Sequence, residues 1–358
     1  VPHATGVIAA SGTITQLIPP SLVLIVLADQ LGRSVGDMYL GATGASILQV
    51  LLFAGWVLIL SIIRPQDVPA LPPEARTLRG WALAAKLIKG MIPSLALIFI
   101  VLGTIFLGIA TPTEGGAMGA SGALLLAFAK RRLTFKTMSD ALDATTRLAC
   151  FVLFILIGSR VFSLTFYGIN GHVWVEELFT SLPGGEWGFL IAVNILVFIL
   201  GCFIDFFEIA FIVVPLLAPV ADKFGIDLVW FGIVLGMNMQ TSFLTPPFGF
   251  ALFYMRSIAP SAPWLDKVTG RTIAGVSTGQ IYRGGVAFIG LQIVMIAVVL
   301  AFPSLSVPDK GPAVDPSTIQ IELPPLGGEG SDGTAPPPEF DLNTPPDFGT
   351  EQPQQPQQ

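Results

Sequence analysis

Two stretches of small hydroxyl and amide side chains run into a Pro-Pro pair, and the chemistry they offer is that of a cation site. One reads Ser11-Gly12-Thr13-Ile14-Thr15-Gln16-Leu17-Ile18-Pro19-Pro20-Ser21. The other reads Asn238-Met239-Gln240-Thr241-Ser242-Phe243-Leu244-Thr245-Pro246-Pro247-Phe248-Gly249. A proline has no N–H, and its ring clashes with the carbonyl four residues back. Pro19 and Pro20 therefore free the carbonyls of Thr15 and Gln16; Pro246 and Pro247 free those of Ser242 and Phe243. An unsatisfied carbonyl in hydrocarbon costs several kcal/mol, and a desolvated cation can stand in for the missing donor. The hydroxyls of Thr13, Thr15, Thr241, Ser242 and Thr245 and the amide of Asn238 add neutral, hard oxygens. Such a set suits an alkali cation, and in the second copy Ser242, Thr245 and Asn238 are the ligands expected for Na⁺. The plainer reading is a proline kink satisfied by neighbouring Ser and Thr. One Pro-Pro pair would carry no more than that; two matched copies favour the ion site.

A second constellation is Gly201-Cys202-Phe203-Ile204-Asp205-Phe206-Phe207-Glu208. A carboxylate at mid-membrane costs about 2.5–3.5 kcal/mol on insertion scales, so two within one turn do not face lipid. They fit the tip of a re-entrant hairpin. Asp205 then either gates a cation or substrate, or caps the hairpin's second helix by accepting backbone N–H bonds; one residue can do both. Thr111-Pro112-Thr113-Glu114 has capping-box spacing with Pro at the first helical position, and should start a helix at 112. Arg160, alone in an apolar span, either attracts an anionic substrate or pairs with a carboxylate in the bundle, and pairing is the favoured reading. Cys150 and Cys202 both lie in apolar runs and read as small packing residues. His3 and His172 sit at segment ends without ligand partners. There is no His-Glu-x-x-His, no paired Cys and no phosphate-binding Gly-x-x-x-x-Gly-Lys loop, so the residues do not support an enzyme. Nothing basic and clustered points to nucleic acid.

The elements that must hold these residues are membrane spans. Of 358 residues, 53% are hydrophobic and only 12% charged, against about 25% charged in soluble proteins. A mean hydropathy of +0.74 over the whole length excludes a soluble enzyme and indicates an all-α, polytopic helix bundle. Apolar segments run over 7–31, 37–63, 91–110, 115–129, 148–169, 187–220, 228–256 and 286–302. Lys and Arg crowd 64–89, 130–147 and 256–285, which places these on the cytoplasmic side; 170–186 has none and lies outside. Parity then sends 7–31 outward and 228–256 inward, so the two Pro-Pro segments cross in opposite directions. Charge does not decide whether 187–220 is a re-entrant hairpin or two full crossings. Broken helices in antiparallel halves point to an inverted-repeat transporter. From Pro303 onward nine acids and one base make the chain strongly acidic; this Pro- and Gln-rich tail, 303–358, should be disordered and periplasmic. The chain begins with Val1 and runs straight into the first motif, so domain 1–302 is read as N-terminally incomplete.

Ile18-Pro19-Pro20-Ser21, Gly108-Ile109-Ala110-Thr111-Pro112-Thr113-Glu114, Phe224-Gly225-Ile226-Asp227 with Phe231-Gly232, and Thr245-Pro246-Pro247-Phe248-Gly249 occur in this order. Together they resemble the large membrane subunit of TRAP (tripartite ATP-independent periplasmic) transporters, over its C-terminal two-thirds. The resemblance implies a permease of the bacterial inner membrane that imports organic acids, dicarboxylates or 2-oxo acids, with Na⁺ as the coupling ion and no other cofactor. It implies two protein partners, a small membrane subunit and a periplasmic substrate-binding protein. It implies an elevator-type fold in which a mobile domain carries two re-entrant hairpins and two broken helices. On this chain the second hairpin is 187–220, the broken helices hold Pro19-Pro20 and Pro246-Pro247, and the first hairpin is expected before residue 1. The alternative from another class is a transport-inactive membrane fragment or scaffold.

Overall fold

The computed structural model describes residues 2–68, 78–265, 270 and 272–307. The acidic tail from 308, and Arg76, Lys267 and Arg271 of the expected cytoplasmic stretches, lie outside the described residues. The described chain is helical apart from a two-residue ribbon, in which β1 (Trp264–Leu265) pairs antiparallel with β2 (Thr272–Ile273). The helices are α1 (Pro2–Ile14), α2 (Leu22–Gln30), α3 (Val35–Ile63), α4 (Gly80–Phe106), α5 (Pro112–Ala129), α6 (Phe135–Gly168) and α7 (Gly171–Thr180). They continue as α8 (Gly185–Gly201), the single turn α9 (Phe206–Glu208), α10 (Val214–Lys223), α11 (Leu228–Ser242), α12 (Phe250–Ile258) and α13 (Thr278–Ala301). A π-helical turn, Ile209–Val213, joins α9 to α10. Among the described residues α3, α4, α6 and α13 are each long and apolar enough to cross a membrane.

Both Pro-Pro segments break a helix. α1 and α2 are separated by seven residues, 15–21, and α11 and α12 by seven, 243–249. The Pro19–Pro20 and Pro246–Pro247 bonds are both cis. Neighbour pairs fix the directions. Thr13 meets Gln292, and Gly6 lies against Gly284, so α1 runs parallel to α13. Trp230 donates to the Val299 carbonyl and Leu244 lies against Gly285, so α11 runs antiparallel to α13. The two broken helices are therefore antiparallel, as charge parity requires. At Gly6 and Gly284 the α1 and α13 backbones touch, and a methyl on either glycine would collide with the other helix. Small residues allow this close crossing, the usual way helices associate in lipid.

The 187–220 segment is a hairpin. The Phe189 ring near the start of α8 lies 5.4 Å from that of Phe224 just past α10, so both limbs end together. At seventeen residues, α8 reaches about 25 Å, short of the ~30 Å hydrocarbon. Its tip at Gly201 abuts Ser242 at the end of α11, where a methyl on Gly201 would overlap the serine side chain. Every residue of α11 is buried. It is the central helix, packed by α2, α3, α8 and α13.

Several elements differ from expectation. The stretch 170–186, read as an outside loop, contains α7, which bends 118° into α8. α4 and α6 start before their apolar runs, so Lys86, Lys89, Lys136 and Arg147 ride on helical extensions rather than loops. Thr134 caps the α6 extension, accepting from the Thr137 N–H at 3.1 Å. The body also passes the expected 302 boundary: 303–305 form a 3₁₀ turn, and the carbonyls of Leu305 and Ser306 pack on Gly44 and Gly41 of α3. Cys202 is buried as expected, whereas Cys150 is exposed on α6. Arg160 is also exposed and makes no ion pair among the described residues, which corrects the pairing reading.

Candidate functional site

The hairpin tip is shaped by a capping box. Asp205 Oδ1 accepts from the Phe206 N–H at 2.7 Å, and Glu208 Oε2 accepts from the Asp205 N–H at 2.7 Å. Thr111 and Glu114 form a second such box at the start of α5, as their spacing predicts. Asp205 is thus a cap, and it also faces a cavity of about 960 Å³. The walls of this cavity come from α1 (Gly12, Thr13), Gln16, the tip (Phe203, Asp205, Glu208), α6 (Arg147, Phe151) and the second break and α12 (Phe243, Phe250, Tyr254). A space of that size suits a small organic ligand. It meets Arg147 as its cation and Asp205 and Glu208 as its carboxylates.

Of the residues picked out from sequence, the cavity gathers Thr13, Asp205 and Glu208, together with Gln16 and Phe243, whose carbonyls the proline pairs were expected to free. Thr15 is exposed at the end of α1, with Pro19 and Pro20 beyond it. Asn238, Thr241 and Ser242 are buried in α11, and Thr245 stands in the break ahead of Pro246 and Pro247, away from the cavity wall. Pro247 instead borders a separate 130 Å³ pocket with Arg256 and Tyr282.

The freed carbonyls are mostly reclaimed. Ser21 donates its hydroxyl to the Gln16 carbonyl, and Ser46 on α3 reaches the Leu17 carbonyl at 3.0 Å. In the second break the Thr245 N–H takes Ser242 O at 2.9 Å and the Ala251 N–H takes Phe243 O at 3.1 Å. So Gln16, Ser242 and Phe243 each accept an internal bond, contrary to the expectation that their carbonyls stand free. Thr15 O accepts none among the described residues.

The side-chain oxygens differ from the carbonyls in what they have left to offer. A hydroxyl has one proton and two lone pairs. Thr13 donates to Ala10 O (3.0 Å), Thr15 to Gly12 O (2.6 Å) and Thr241 to Met237 O (2.8 Å). Ser242 donates to Met239 O (2.8 Å) and Thr245 to Thr241 O (2.8 Å). All five spend their proton on the helix backbone, so all five present only lone pairs. Asn238 behaves alike. Its amide N–H₂ donates to Asn194 O at 2.7 Å and Asn194 Oδ1 at 2.8 Å. Its own Oδ1 is buried and without a partner among the described residues. Such a set favours cations and N–H donors over anions.

Sequence reading missed Asn194, Arg147 and Gln292. Asn194 and Gln292 are lone polar residues in apolar runs, and that solitude was their signal. Arg147 was counted only as a topology charge.

The family described as "Tripartite ATP-independent periplasmic transporter, DctM component" matches residues 1–305. The chain is 30% identical over 307 residues to the C4-dicarboxylate TRAP transporter large permease protein DctM of Pseudomonas aeruginosa, covering 84% of this chain and 66% of that one. It is 24% identical to the sialic acid TRAP transporter permease protein SiaT of Haemophilus influenzae, over 84% of this chain and 45% of that protein. It is 26% identical to the ectoine TRAP transporter large permease protein TeaC of Halomonas elongata, over 83% and 64%. The chain thus spans two thirds or less of the length of these curated relatives. The matched region takes in both broken helices, the hairpin and all the cavity walls, and it places this multi-pass membrane chain in the DctM component family of TRAP transporters, a family of transport components and not of enzymes.

Proposed function

We propose that the chain is the membrane permease subunit of a sodium-coupled secondary transporter of the bacterial inner membrane. It imports organic acids, dicarboxylates or 2-oxo acids, delivered by a periplasmic binding protein, and works beside a small membrane subunit. The observation that carries this reading is the set of lone-pair-only oxygens at both helix breaks, one of which, Thr13, lines the cavity that holds Arg147. The oxygens suit Na⁺. The guanidinium can take a carboxylate through two parallel N–H bonds. The cavity also carries Asp205 and Glu208, which repel an anion entering alone. A cation bound alongside offsets that repulsion, a physical reason for obligatory coupling. The relatives' names point to C4-dicarboxylates, sialic acid and ectoine, so family membership leaves the substrate open. The choice of a carboxylate rests on Arg147.

The test is uptake by proteoliposomes holding the complete transporter, with its binding protein outside. Uptake should require an inward Na⁺ gradient. Arg147→Gln should raise the acid concentration for half-maximal uptake about tenfold or more, the effect of losing a charge-assisted pair, and leave the Na⁺ dependence in place. Uptake indifferent to removing both Na⁺ and the membrane potential would end the coupling claim. An unchanged acid dependence in Arg147→Gln would end the carboxylate claim.

A further inference from the structure

Gln49 on α3, Gln240 on α11 and Gln292 on α13 are each fully buried, with 0% of their surface exposed. Helix register brings them to one level. Gly41 of α3 lies against Ser306 past the end of α13, and the Phe53 ring lies 5.1 Å from that of Phe288. So α3, like α11, is antiparallel to α13, and the two run in the same direction, with Gly41 against Val229 and Ile233. Gln49 is eight residues past Gly41 and Gln240 seven past Ile233, about two turns along each helix. The seven-residue step keeps Gln240 on the face that Ile233 turns to α3. On α13, the Trp230–Val299 and Leu244–Gly285 pairs set Gln292 opposite the middle of the 230–244 stretch. Gln292 is also seven residues from Val299, on the face turned to α11. Its Nε2 donates to Thr13 Oγ1 at 3.3 Å, which brings α1 into the same layer.

Five amide atoms in this layer have no partner among the described residues: both side-chain atoms of Gln49, both of Gln240, and Oε1 of Gln292. Each such group is destabilising if left unmade in a protein interior. The unpartnered set has donors as well as acceptors. A bare cation can use the oxygens and is repelled by the two N–H₂ groups. Water serves both.

We propose that ordered water bridges Gln49, Gln240 and Gln292 where α1, α3, α11 and α13 meet, and holds Gln292 in the rotamer that donates to Thr13. The consequence reaches the cavity. Thr13 gives its proton to Ala10 and one lone pair to Gln292, so a single lone pair is left to offer at the cavity wall. Gln292 is a positioning residue. The inference stands on the buried amides alone, whatever the cavity carries.

The test is a thermal-unfolding cycle on the chain in lipid nanodiscs, paired with a density map fine enough to show water. Gln49→Met, Gln240→Met and Gln292→Met each remove one wall of the water site and strand the remaining groups. Each should lower the unfolding midpoint by a few degrees. The triple variant removes every stranded amide and should recover most of the loss, a non-additivity expected only of a shared network. Losses that simply add, or single variants at least as stable as the parent, would overturn the proposal. The map of the unaltered chain should show water within hydrogen-bond distance of both amide nitrogens and oxygens. Amides bonded directly to one another, or Na⁺-dependent density touching oxygens alone, would overturn it even if the triple variant failed to fold.

Discussion

At the helix breaks the fate of single protons decides what each residue can bind. The five hydroxyls and the Asn238 amide have committed their protons to backbone or to Asn194, so what they present to a ligand is lone pairs. Thr245→Val keeps the side-chain shape and deletes one of these oxygens. If that oxygen ligates Na⁺, the Na⁺ concentration for half-maximal uptake rises, each factor of ten corresponding to about 1.4 kcal/mol, while Thr245→Ser stays near the parent. Unchanged Na⁺ dependence in Thr245→Val, Ser242→Ala and Asn238→Ala alike would reduce the Pro-Pro segment to a kink. Asn194 supplies a second check. It fixes which way the Asn238 amide points, since its backbone carbonyl can only accept. Asn194→Ala removes the side-chain acceptor and leaves that carbonyl, so the Asn238 amide keeps its direction and Na⁺ dependence should shift less than in Asn238→Ala. The double variant should be no worse than Asn238→Ala, because the Asn194 side chain acts only through the Asn238 amide. Independent, multiplying losses would show that Asn194 acts elsewhere.

Elements here are held together where proline or glycine has removed something. Pro215 has no N–H to offer Phe211, four residues back, and the π-helical turn Ile209–Val213 lies over that point. Ser159 on α6, 4% exposed, donates its hydroxyl to Phe211 O at 2.5 Å and ties the hairpin limb to α6. Ser159→Ala should therefore cost about 1–3 kcal/mol in unfolding measurements. Adding Pro215→Ala should return part of the loss, because residue 215 regains a donor. Losses from the two changes that simply add would disprove the shared carbonyl. Gly201 works by what it lacks. Gly201→Val would push the tip off Ser242, so protease cutting at 202–205 should rise sharply with α11 intact; an unaltered digestion pattern would contradict the packing. The proline breaks, the hairpin tip and the Thr111 capping box were legible in the sequence because each rests on local backbone chemistry. The layer of glutamines and the Asn194–Asn238 pair were not. α11 is enclosed on all sides and so shows no amphipathic stripe, and nothing in a run of apolar letters says which neighbour Gln240 or Asn238 faces. The start of α6 was lost for a related reason. Lys136, Asp140, Asp143 and Arg147 read as a charged loop, yet a capped helix can carry charge beyond the hydrocarbon.

For the whole molecule the governing constraint is direction. Side-chain pairs make α1 and α2 antiparallel to α11, while α3 and α8 run along it: Gly232 meets Leu31 and Met38, and Asn194 and Gly201 meet Asn238 and Ser242 in order. These relations fix the named helices relative to one another but not to the two sides of the membrane. Basic residues supply that choice, since Arg64, Arg131, Arg132 and Arg256 all fall at ends that the side-chain pairs and the alternation of spans place together. The side opposite holds the α7–α8 turn and the Lys223–Glu176 ion pair. The orientation is checkable with single cysteines, after Cys150 and Cys202 are replaced by Ser. A membrane-impermeant maleimide applied to intact spheroplasts should label Ser181→Cys, at the end of α7, and should miss Thr134→Cys, ahead of α6, until the membrane is opened. A reporter fused after Pro308 should be active on the same side as residue 181, because α13 crosses once from the side of Arg256. If Thr134→Cys were labelled first, the whole set would invert together, and the hairpin would open from the cytoplasm. If residues 134 and 181 were labelled from one side, α6 would not cross between them, and the wall it lends to the cavity through Arg147 would need another origin.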